Sequence, residues 1–103
     1  DDPVFFNEMI DTFIAGARAA YEALTESARP INRKEIREKA HKAISSFRYF
    51  GLNQLADKLA RLEEMIRNEE SDGAVEKLAV IAAEEIENVL SGAEKAKISQ
   101  EGI

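Results

Sequence analysis

His41 is the only histidine in a chain of 103 residues that has no cysteine, so side-chain chemistry near neutral pH rests on this one ring. An exposed imidazole ordinarily titrates near about 6.5, which leaves a useful fraction neutral and nucleophilic at neutral pH. A helix turns about 100° per residue. By that count the apolar stripe Ile36, Ala40, Ala43, Phe47 and Phe50 clusters opposite His41, which therefore faces solvent. Lys34, Arg37, Ser45 and Arg48 lie one or two turns away on the same face, with Glu38 and Ile44 flanking more obliquely. Three of these neighbours are basic in an acidic chain, and a positive patch around a nucleophilic imidazole is a cradle for a phosphoryl group. Spacing alone leaves a second reading open, in which His41 and its neighbours are a solvated helix surface.

Other chemistries are excluded by what the chain lacks. Glu38 and His41 form the Glu-x-x-His unit of di-iron bundles, but such sites need two units and there is no second histidine. Zinc sites need more histidine or cysteine than is present. His41 with Ser45 one turn away on an open helix offers no oxyanion hole for a hydrolase triad, and Gly-rich phosphate loops are absent. A formal net charge of −6 repels phosphate backbones and anionic lipid, so neither nucleic acid nor a membrane surface is an expected partner. The apolar stretch around Ala79 to Ala83 is cut off by Glu84 and Glu85, far short of a membrane span. No bound cofactor is expected, and a small domain without disulfides suits the reducing cytoplasm.

The elements that must position His41 read as helices throughout. Asp2 and Pro3 suit an N-cap and first helical position. Apolar residues then recur with helical spacing at Phe5, Phe6, Met9, Ile10, Phe13, Ala17, Ala20, Tyr21 and Leu24. This segment is long enough for a short helix running into a longer one, with Gly16 a candidate bend, and it should stop before Pro30. Asn32 with Glu35 forms a capping box that opens a second helix, and Gly51 is its C-terminal stop. A third helix follows at once with Leu55, Leu59, Leu62 and Ile66 inward, so it lies antiparallel to the second. Ser71, Asp72 and Gly73 mark the next break. The fourth helix carries Val75, Leu78, Ala82, Ile86 and Val89, its stripe fading near Ser91 and Gly92 into a frayed tail over about residues 93–103. The expected fold class is all-α, an antiparallel up-down four-helix bundle with a short N-terminal helical extension. Residues 1–103 are expected to be one domain, and the start at Asp1 points to a piece of a larger protein.

The run from Ala40 through His41, Ser45, Ser46, Phe50, Gly51 and Leu52, continuing to Leu55, Ala56, Leu59, Leu62 and Glu63, resembles the histidine-containing phosphotransfer domains of bacterial multistep phosphorelays. That family has alanine before the histidine, small residues four to six positions after it, an apolar residue and glycine nine and ten after it, and a leucine-rich third helix ending in Leu-Glu. The N-terminal Asp-Pro-x-Phe also fits, so the likeness spans nearly the whole chain. Ile44 stands where the family usually has lysine, and Ser45 where it usually has glycine. The resemblance implies that His41 accepts a phosphoryl group from a receiver-domain aspartate and passes it to another, with Arg37, Lys42, Ser45, Arg48 and Glu63 in support. Ile44 and Ser45 would dock the partner, and Glu63 would fix the ring tautomer. It further implies that the receiver brings the magnesium, that the isolated domain is monomeric and cytoplasmic, and that its parent could be a hybrid sensor histidine kinase. The alternative is a module of the same fold that docks receivers or kinases without transferring phosphate.

Overall fold

The computed structural model describes residues 3–26 and 31–101, with side chains over 4–26 and 31–95. Four helices follow one another: α1 (Pro3–Glu26), α2 (Arg33–Tyr49), α3 (Asn53–Arg67) and α4 (Asp72–Glu101). Among the described residues there is no strand. Each helix packs on its neighbours in sequence, and α4 closes the ring on α1. His41 pairs with Glu63 and Arg48 with Asp57, so α2 and α3 run in opposite directions. Tyr21 bonds Glu87 and Arg18 bonds Glu94, which makes α4 antiparallel to α1 as well. The result is the expected up-down four-helix bundle, measuring 49 × 20 × 19 Å.

The core is drawn from every helix: Phe13, Ala17, Ala20 and Leu24; Ile36, Ala40, Ala43 and Phe47; Leu55, Ala56, Leu59 and Leu62; Val75, Ala79, Ala82 and Ile86. Many of these are alanines, which let the backbones approach closely, while Phe47 and Ile36 fill the space beneath α2. Full burial of a side chain such as Phe47 contributes about 2–3 kcal/mol relative to exposure. Met65 takes a buried place at the end of α3, and Ile66, expected inward, is only partly buried.

Both ends of α2 obey their local chemistry. The Asn32 side chain accepts the Glu35 backbone N–H, satisfying one of the four N–H groups that a helix leaves without partners. At the other end Gly51 has φ +80°. Its N–H bonds the Arg48 carbonyl and that of Leu52 bonds Phe47, a Schellman motif that turns the chain directly into α3. The same motif closes α3, where Glu69 N–H bonds Ile66 and Glu70 N–H bonds Met65. There the left-handed position is held by Glu69, at φ 56°.

Several sequence expectations need correcting. Gly73 does not break the chain: Ser71 caps α4 by accepting the Ala74 N–H, and Gly73 lies inside the first turn. The N-terminal extension and the longer segment are one continuous helix, with no interruption at Gly16. Phe5 and Phe6, expected in the buried stripe, are 59% and 41% exposed; Phe5 lies at an open groove beside Tyr49, the last residue of α2. α4 is helical through Glu101, across most of the stretch from about residue 93 where a frayed tail was expected. Asp2 and Pro30, expected at the boundaries of the first helix, lie outside the described residues.

Candidate functional site

The rotation of α2 follows from its buried stripe. With Ile36, Ala40, Ala43 and Phe47 turned inward, the intervening His41 is forced outward, and its side chain is 71% exposed. The ring is nevertheless oriented. Its Nδ1 lies 2.8 Å from Oε2 of Glu63, which projects from α3 and is only 19% exposed. An ionised carboxylate can only accept, so Nδ1–H donates and the neutral ring keeps its lone pair on Nε2. Leu59 and Leu62 are completely buried, which fixes the rotation of α3 and delivers Glu63 to the edge of α2.

Arg37, Glu38 and Lys42 join His41 and Glu63 around an open depression of about 270 Å³. Two cations therefore face two carboxylates, and the surroundings of the ring are balanced rather than strongly positive. Arg48 does not contribute, because its guanidinium bonds the Asp57 carboxylate at 2.9 Å, two turns along α2. Ser45 is exposed one turn from His41 but does not line the depression. Ile44 is half-buried against the edge of the core, so only part of its side chain faces outward.

The structure thus brings together His41, Glu63, Arg37 and Lys42 and leaves Arg48 in a separate ion pair. The sequence reading missed the commitment of Arg48. Its signal was Asp57, seven residues past the C-cap Phe50 and level with Arg48 across an antiparallel pair. It also gave Glu38 too oblique a place: three residues before His41, it shares the ring's face. The described residues contain no cluster of histidine and carboxylate able to hold a metal ion. None of the described helices is long and apolar enough to cross a membrane.

A family model described as Hpt domain matches residues 8–96. No curated protein matches the chain. No solved structure matches it either.

Proposed function

The chain belongs to the Hpt domain family, and on that footing we propose that His41 takes a phosphoryl group from a receiver-domain aspartate and hands it to another receiver aspartate. Members of this family carry out histidine phosphotransfer in phosphorelays and interact with receiver domains. The observation that supports the reading for this chain is the ring itself: widely open to solvent, yet oriented through Nδ1 by Glu63.

The step follows from that geometry. The Nε2 lone pair attacks the phosphorus of an aspartyl phosphate in line with the acyl P–O bond. The N–P bond forms as that P–O bond breaks, and the aspartate leaves as a carboxylate. The ring, still protonated at Nδ1, then carries positive charge, which the Glu63 carboxylate offsets at hydrogen-bond distance. Arg37 and Lys42 supply charge for the incoming phosphoryl oxygens. Such transfers depend on positioning and charge neutralisation more than on covalent assistance. The receiver supplies the magnesium, and the domain works on the cytoplasmic side, free or within a hybrid sensor kinase.

The test is labelling from a phosphorylated receiver. Wild type should gain acid-labile, alkali-stable label and His41→Gln should gain none; label persisting in the variant would remove His41 from its role. One observation favours a second reading, a docking module that transfers nothing: Ile44 replaces the lysine usual in the family, and the cations at the ring are matched by Glu38 and Glu63. Receiver binding that survives His41→Ala, with unlabelled wild type, would select that reading.

A further inference from the structure

The depression around His41 holds one charge that the transfer step does not use. Glu38 lines it together with Glu63, Arg37 and Lys42. Glu63 is committed, its carboxylate accepting Nδ1–H at 2.8 Å. Glu38 is exposed, and among the described residues its carboxylate has no hydrogen-bond or ion-pair partner. Lys42 is placed to be that partner, because a glutamate four residues before a lysine is the favoured order for a helical ion pair. Three residues earlier on α2 the same spacing does pair, Glu35 with Lys39 at 3.8 Å. Lys42 and Arg37 are instead left unpaired among the described residues. No cation therefore neutralises Glu38 by direct contact.

Residues three apart on a helix have their Cβ atoms about 5–6 Å apart, so Glu38 and His41 stand side by side. A phosphoryl group on Nε2 would bring up to about two negative charges into the depression. Glu63 offsets the positive charge left on the ring. Beyond the ring, the phosphoryl oxygens would meet two cations that attract them and one carboxylate that repels them. Across a solvated gap of this size, that repulsion amounts to about 3- to 10-fold in an equilibrium constant at low salt. The neutral ring carries no charge for Glu38 to act on, so the penalty falls on the phosphorylated form.

We infer that Glu38 weakens the hold of His41 on its phosphoryl group, so that the domain passes the group on rather than storing it. This rests on the phosphotransfer reading, and it gives the matched charges at the ring a use within that reading. Glu38 forms no bond to the ring; it acts through space on the charge that transfer delivers.

The experiment measures how far phosphoramidate labels His41 at equilibrium. The P–N bond of the donor breaks as the bond from Nε2 to phosphorus forms, and the electron pair leaves with ammonia. With ammonium added the reaction runs both ways, and the phosphorylated fraction gives an equilibrium constant with no receiver present. Wild type is compared with Glu38→Gln and with Glu84→Gln, which removes the same charge from an exposed position on α4, diagonal to α2 in the bundle. Both variants should keep wild-type helicity, because the altered side chains are exposed. At low salt Glu38→Gln should raise the constant about 3- to 10-fold, and Glu84→Gln should leave it within about 1.5-fold. In 1 M salt, where the screening length falls to about 3 Å, the gain should shrink below about twofold. An unchanged constant in Glu38→Gln overturns the inference and leaves the phosphotransfer reading standing. So does an equal rise in Glu84→Gln, or a rise that 1 M salt leaves intact. No label on any of the three proteins overturns both.

Discussion

At the residue scale, the orientation of the ring rests on Glu63 rather than on the cations: the carboxylate holds Nδ1 and, under the proposed transfer, would offset the charge left on the ring. Glu63→Ala should slow labelling of His41 about 10- to 100-fold in single-turnover assays. Glu63→Gln, whose amide oxygen still accepts the N–H but carries no charge, should recover part of that loss. Equal rates for all three proteins would show that the hydrogen bond does not serve transfer. Ser45 is the opposite kind of residue, exposed one turn from His41, where the proposed docking calls for a small side chain. Ser45→Arg should block receiver-dependent labelling, through bulk one turn from His41, and leave thermal unfolding unchanged. Both residues were legible in the sequence because helical spacing from His41 and the match at Glu63 specify them. The pairing of Arg48 with Asp57 was not read, since it depends on the register of α3 against α2 as well as on spacing within α2.

At the element scale, the helix ends carry separable contributions. Asn32→Ala removes the cap of α2 and should cost about 1 kcal/mol in urea unfolding. Glu69→Gly relieves a side chain from the left-handed region and should stabilise the protein by about 0.5–1 kcal/mol; a loss would mean that the Glu69 side chain makes up for its backbone. Tyr21 and Glu87 tie α1 to α4. The bonded Glu87 carboxylate raises the Tyr21 phenol above its ordinary value of 10.0. Because the folded value lies above the unfolded one, this link is fully present below about pH 10 and is lost as pH rises through the raised value. Tyr21→Phe should therefore unfold with a weaker dependence on pH across that alkaline window. Helix existence and the capping box at Asn32 could be read directly from the chain. The end of α3 could not, because the residue at its left-handed position is a glutamate and glycine is the signal for such a stop.

At the scale of the whole molecule, the bundle is a narrow rod whose first and last helices are longer than the two between them in sequence. Apolar periodicity misplaced Phe5 and Phe6: the pattern of α1 continues, but Phe5 lies at an open groove beside Tyr49, where α2 stops. Length mismatch between helices is a tertiary property that no single helix displays. His41 and Glu63, by contrast, sit 22 residues apart on the hairpin of α2 and α3, joined by the turn at Gly51. That hairpin is a portable cassette. Transplanted between bundles of this architecture, it would carry the exposed ring and the carboxylate that orients it along together, whatever the first and last helices of the host.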